Sequence, residues 1–245
     1  MPPLVYETAA WLRFYSRLPV PPLPGESDAG AAPDPARTAH AAPIAGALIG
    51  AAAGLVIAIA AALGATDFVA AALGVLALVI VTGGRAEHAL AAVAGRRATS
   101  QAVQHGVIAI AIVVLFRAGA IDALLSYGVW KTTFAIVGAC AVSRAATLAF
   151  ILMRPAEPKA GAPAAGGNAL QWLAIVGLAI GIAAVLPFHG LGAAIAGIAA
   201  AAGAVALVSA FLPRNGGETG MEFSATAELL SEIAFLVAVL AFANH

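Results

Sequence analysis

The sequence predicts an all-α fold: a polytopic, integral-membrane helical bundle of about seven transmembrane helices with its N-terminus in the cytoplasm. Three observations carry this. Only 10% of the 245 residues are charged and 62% are hydrophobic, whereas a soluble domain carries about 25% charged residues. The mean hydropathy is +0.98, and the apolar residues gather into runs near the roughly 20 residues that a spanning helix needs. The basic residues, finally, sit unevenly between alternate connections. Twelve basic and twelve acidic residues cancel, so the charge total gives no argument for a nucleic-acid partner.

Residues 1–42 read as a cytoplasmic N-terminal segment: a short amphipathic stretch from Tyr6 to Tyr15, then PVPPLPGESDAGAAPDPARTAH, whose prolines and small polar residues favour loop. The opening has no basic stretch ahead of an apolar one and no small-residue cleavage site, so it does not read as a signal peptide. The transmembrane domain, 43–245, contains apolar runs at about 43–63, 68–82, 106–125, 132–153, 169–188, 190–212 and 223–243. The second is short, and Arg117 and Asp122 interrupt the third, so tilted or re-entrant passage is expected there. The stretch 83–105 reads as a cytoplasmic loop. Ala and Gly dominate the spans, which lets helix backbones approach closely in lipid. The single cysteine, Cys140, lies in an apolar run and reads as a small buried hydrophobe.

Seven spans put the termini on opposite sides. With the N-terminus inside, the inner segments hold Arg13, Arg17, Arg37, Arg85, Arg96, Arg97, Arg154, Lys159 and Arg214, and the outer ones hold Arg117 and Lys131. The positive-inside rule therefore selects a cytoplasmic N-terminus. Every long polar connection then faces the side where a soluble or nucleotide-activated substrate arrives.

Ionisable residues inside a bilayer are costly and mark functional sites or paired charges. Arg144 stands mid-span and needs a counter-charge, and the last span offers Glu228 and Glu232, four residues apart on one helical face. Two readings stand for this trio, a structural ion pair and a polar cavity for substrate or metal. Ahead of that helix, RNGGETGMEFSATAELLSE combines a Gly-rich turn with Glu218 and Glu222, and free N–H groups at such a helix start can hold phosphate. In 83–105 the lone carboxylate is Glu87, beside His88, with Arg96, Arg97 and His105 following. Mg²⁺ prefers oxygen ligands, so this stretch is better suited to attracting an anion than to gripping a metal.

Several separated pieces resemble the cobalamin synthase family, the adenosylcobinamide-GDP ribazoletransferases. WLRFYSRLPVP, Trp11 to Pro21, is similar to the family's FLTRLPVP, and APIAGALIGAAAGLV to its PLVGLLIGLLLGLV first span. Ser143 and Arg144 match a Ser-Arg pair of the middle spans. GGETGMEFSATAELLSEIAFLVAVLA, Gly217 to Ala241, resembles the closing GGxTGDxLGA segment and the Glu-bearing helix after it. The family loop TGGLHEDGLADTADG lies without gaps on TGGRAEHALAAVAGR, Thr82 to Arg96. Thr82, Gly83, Gly84, Glu87, Leu90, Ala91 and Ala94 match; the family's three aspartates fall on His88, Ala92 and Gly95, and its histidine on Ala86. Its KDSRIGTYG-like segment becomes ATSQAVQHG, and the aspartate of TGD becomes Met221.

The resemblance implies a Mg²⁺-dependent reaction of adenosylcobinamide-GDP with α-ribazole or its 5′-phosphate, releasing GMP, at the bacterial inner membrane. Carried onto this chain, Glu87, Glu218 and Glu222 become the metal ligands and His88 the base. Arg13, Arg17, Arg96 and Arg97 become the phosphate contacts. The departures remove most of the family's metal ligands while keeping the scaffold. A second expectation is thus a non-catalytic paralogue, a membrane subunit or scaffold that keeps the fold and a vestigial corrinoid or lipid site; for the chain as such, a homo-oligomer or a subunit of a larger membrane complex is expected. A transporter would lean on Arg144 and the last-span carboxylates, but no inverted repeat supports it.

Overall fold

A computed structural model describes residues 3–26, 29–96, 101–153, 167–210 and 218–243, with the side chains of 167, 218–221 and 223 outside the description. All regular structure among them is helical. In chain order the elements are α1 (Pro3–Tyr15), α2 (Pro35–Thr38), a 3-10 turn (Ala39–Ala41), α3 (Ala42–Ala62), α4 (Asp67–Thr82), α5 (Arg85–Gly95), α6 (Ala102–Leu125), α7 (Val129–Met153), α8 (Gly167–Ala210) and α9 (Glu218–Phe242). Among the described residues, five helices are long and apolar enough to cross a membrane, or six if the bent pair α4–α5 makes one span. Outward-facing Leu55, Leu63, Ile80, Leu115, Phe116 and Leu207 leave an apolar exterior suited to lipid. The chain is a multi-pass membrane protein.

The core centres on α7, which packs against α3, α8 and α9. Small residues permit the close crossings: a Cβ added at Gly46 of α3 would collide with the Cys140 carbonyl and the Arg144 side chain of α7. Cys140 is buried, as its apolar surroundings imply.

The two apolar runs 169–188 and 190–212 are joined in α8. As one straight rod its 44 residues would reach about 65 Å, twice the hydrocarbon thickness of a bilayer. It is instead folded at Gly190, whose φ of 83° and ψ of 170° are non-helical, just after Pro187. The two arms lie side by side: Ile198 packs within 3.7 Å of a Cβ placed on Gly181, although 17 residues of straight helix would separate them by about 25 Å. One arm meets α7 through Gly181 and Val142, the other meets α9 through Gly197 and Phe235.

Two expectations need correction. The described part of 83–105 is mostly helix rather than loop: Arg85–Gly95 is helix α5 and α6 begins at Ala102. RAEHALAAVAG is Ala-rich and contains no proline, so helix is the low-energy state once a corner starts it. Gly83 and Gly84 make that corner, both with positive φ (69° and 66°), and turn the chain by 88°. α5 then runs back along α6, where Gly95 meets Ala102 and Gly106 meets Ala91. Arg117, secondly, does not belong to an outer segment. It is 4% exposed inside the bundle, held there by carboxylates.

The N-terminal segment is packed onto the bundle rather than separate from it. Trp11 donates its indole N–H to the Thr38 carbonyl at 2.8 Å, stacks on Tyr15, and is buried. His40 meets Glu7 at 2.9 Å. The Arg17 backbone N–H donates to the Val81 carbonyl at 2.7 Å, which pins the end of α1 beside the α4–α5 corner.

Candidate functional site

An open cavity of about 440 Å³ lies at that corner, lined by Phe14, Tyr15, Ser16, Arg17, Thr82, Gly83, Arg85 and His88. Its polar groups are cationic or neutral. Arg17 is exposed, and its side chain lies against Gly83, where a Cβ would strike the guanidinium. Arg85 lies over the rings of Phe14 (5.1 Å) and Tyr15 (4.9 Å), so its planar cation is held at the cavity wall. His88 contacts the Gly84 carbonyl through Nδ1 at 2.8 Å. A carbonyl only accepts, so Nδ1 carries the proton, and Nε2 is the ring nitrogen that can accept one.

Beneath this vestibule lies a buried ring of charge. Arg117 donates from Nε to Glu232 Oε1 at 3.0 Å and from Nη1 to Glu87 Oε1 at 3.3 Å. Arg144 meets Glu228 at 3.0 Å and donates to the Cys140 carbonyl at 2.7 Å. Arg85 reaches down to the other Glu228 oxygen at 3.2 Å. Three arginines thus face three carboxylates around a cavity of about 10 Å³, the threshold for one water molecule. Tyr15 roofs it, 5.3 Å from the Arg144 guanidinium. Burial, reinforced by the nearby Glu228 charge and opposed by Arg144 and Arg85, holds the Tyr15 phenol well above its ordinary pKa. Tyr15 therefore serves as a neutral hydroxyl and a ring.

The residues expected from sequence divide between these places. Arg17 and His88 line the vestibule. Glu87, Arg144, Glu228 and Glu232 join the buried ring, but Arg144 takes only Glu228 as its ion-pair partner while Glu232 goes to Arg117. Arg96, at the end of α5, pairs with Glu222 at the start of α9. Arg13 is used elsewhere: it meets Glu26 through 2.6 and 2.9 Å hydrogen bonds and also donates to the Val20 and Pro21 carbonyls. The hydrogen bond from Arg13, with a second from the Leu23 N–H, holds the Glu26 carboxyl below its usual pKa. Arg97 and the Glu218 side chain lie outside the described residues. Sequence reasoning missed Arg85, Arg117 and Tyr15 as site residues. Arg117 did carry a signal, a guanidinium within an apolar run; Arg85 and Tyr15 carried none.

The described donors do not fit a Mg²⁺ site. Glu87 and Glu222 are each engaged by an arginine, and among the described residues no group of three or more His, Cys, Asp or Glu is placed to hold a metal. Mg²⁺ demands near-octahedral oxygen coordination and keeps several waters, more than the inner cavity admits.

The family described as cobalamin-5-phosphate synthase matches residues 7–94, the span that contains the vestibule lining, Glu87 and Arg13. The adenosylcobinamide-GDP ribazoletransferase of Azorhizobium caulinodans is 34% identical over 259 aligned positions, covering 98% of this chain and 97% of that protein. The protein of the same description from Xanthobacter autotrophicus is 34% identical over 136 positions, 50% of this chain and 51% of its own length. No solved structure matches. Similarity that runs from α1 through α9 includes the helices of the buried ring as well as the vestibule, and on it the chain belongs to the cobalamin-5-phosphate synthase family.

Proposed function

We propose that the chain serves the final assembly of cobalamin at the bacterial inner membrane, its vestibule receiving the phosphate-bearing reactant. The observation that carries this is the cationic lining on the retained Thr82-Gly83-Gly84 corner: Arg17 and Arg85 flank an open cavity of about 440 Å³. An anion there meets two guanidiniums, which bind phosphate oxygens through paired N–H donors. In the reaction that the family resemblance implies, the α-ribazole hydroxyl oxygen forms a bond to the corrinoid-side phosphorus of adenosylcobinamide-GDP. The bond from that phosphorus to the GMP oxygen breaks, and GMP leaves. Arg17 and Arg85 orient and neutralise the pyrophosphate, and His88 Nε2 is the acceptor placed for the hydroxyl proton.

A second reading has its own observation. Glu87, the lone carboxylate between Gly83 and His105, is engaged by Arg117, and the family's three aspartates are His88, Ala92 and Gly95 here. This favours a member that binds the family's ligands without turning them over.

One experiment separates the two. Protein in nanodiscs is given adenosylcobinamide-GDP, α-ribazole 5′-phosphate and Mg²⁺, with GMP release followed beside direct binding of adenosylcobinamide-GDP. Turnover that a His88→Ala variant loses establishes the transferase. Binding without turnover, weakened about tenfold or more by Arg17→Ala, establishes the second reading. Neither binding nor turnover in folded protein sinks both.

A further inference from the structure

We infer that Arg117 is this protein's built-in cation, occupying the place that a divalent ion would take between α5 and α9. Glu87 comes from α5 and Glu232 from α9, and both converge on one guanidinium from α6. All three are buried, at 6%, 3% and 4% exposure. Two carboxylates brought together away from water repel each other and need a positive charge between them. The guanidinium supplies it: Nη1 goes to Glu87, while Nε and Nη2 both go to Glu232.

The remaining chemistry shows where a metal would otherwise sit. Glu87 Oε2 is buried and has no hydrogen-bond partner, so an acceptor with strong ligating character is left over beside the guanidinium. Glu87, Glu228 and Glu232 line the same small cavity. With Arg117 in place that cavity has no space for an ion and its waters. Without the Arg117 side chain, three carboxylates would face only Arg85 and Arg144, leaving one uncompensated negative charge and a vacated volume lined by carboxylate oxygens. Glu87 and Glu232, the two carboxylates that the guanidinium holds together, would then draw in a divalent cation that completes its shell with water. The inference concerns the assembly of the bundle and stands whether or not the chain turns over substrate.

The test uses the full chain in detergent and reads thermal unfolding in EDTA and in millimolar Mn²⁺, with bound Mn²⁺ counted by electron paramagnetic resonance. The wild-type protein is expected to unfold at the same temperature in both buffers and to bind no Mn²⁺ at this site. Arg117→Ala should unfold on the order of 10 °C lower in EDTA, recover most of that loss in Mn²⁺, and bind one ion. Further substitution of Glu87→Gln should abolish that binding. Arg117→Lys keeps a positive charge and should fold without responding to Mn²⁺. Should Arg117→Ala fail to fold in either buffer, a folded and Mn²⁺-insensitive Arg117→Lys protein still supports the inference. An unfolded Arg117→Lys protein would overturn it. It is overturned equally if chelation destabilises the wild type and Glu87→Gln removes that effect, or if a folded Arg117→Ala protein ignores Mn²⁺.

Discussion

Arg13 and Glu26 meet near the N-terminus through hydrogen bonds of 2.6 and 2.9 Å; Arg144 and Glu228 meet in the middle of the bundle at 3.0 Å. By geometry the peripheral pair is the better one, with two parallel N–H to oxygen contacts. By consequence the inner pair matters more. The outer pair is half-buried in a connection at the edge of the bundle, so when it breaks that connection can open and let both groups turn to water, which keeps the loss small. Arg144 is 2% exposed, and loss of its partner leaves a charge with no solvent to receive it. The same two side chains therefore hold a connection in one place and a helix bundle in the other.

The sharpest way to break this contrast is Arg144→Ala. Removing one partner of a buried pair costs about 3–5 kcal/mol, and here Glu228 would retain only Arg85 at 3.2 Å. Chemical unfolding in detergent should show a loss of that size, and Arg144→Leu with Glu228→Leu together should recover part of it by removing both charges. A single variant as stable as wild type would mean that water reaches the ring, and the contrast would collapse. A smaller effect is expected from Gly46→Ala, which tests the packing that delivers Arg144 to the ring. The new methyl would meet the Cys140 carbonyl and the Arg144 side chain, and overpacking of this kind costs about 1–3 kcal/mol. Gly119→Ala on α6 is the control, since nothing lies within 4 Å of its added methyl and alanine is the better helix former.

Much of the inner region is legible in sequence, and the limits have physical causes. The run 43–63 becomes α3 almost residue for residue because about 20 uninterrupted apolar residues have few alternatives. A lone arginine in α7 demanded an acid, and Glu228 supplies it. Glu232 misled because residues four apart share a helical face and so suggest one common partner. They also differ in height by about 6 Å along the axis, enough for each to meet its own arginine. Arg117 looked like a break in a span because sequence shows the cost of a buried charge but not the carboxylates that offset it. The α5 helix was hidden by the Gly83-Gly84 corner, since two glycines read equally well as the start of a loop. Arg13 and Arg17 carry indistinguishable sequence signals. Only the fold reveals that Glu26 consumes one and leaves the other facing the vestibule.

The smallest expected effect isolates the outer pair through pH. Glu26 has its pKa lowered below the ordinary 4.5 by its hydrogen bond to Arg13. Its contribution is therefore fully present above the ordinary value and is lost as pH falls through the lowered one. Protonated Glu26 accepts more weakly from Arg13, and the stretch from Leu18 to Glu26 should then open while α1 stays docked through Trp11 and Thr38. Amide hydrogen exchange read residue by residue should show protection at Leu23, whose N–H donates to Glu26 Oε2, decline as the pH is taken down from the ordinary carboxylate value of 4.5. In Arg13→Ala the same amide should exchange faster already at neutral pH. If Leu23 stays protected through the whole acid titration of the carboxyl groups, the Glu26 carboxylate is not what closes this stretch. The Val20 and Pro21 carbonyls, which accept from Arg13 whatever the charge on Glu26, would then be holding it.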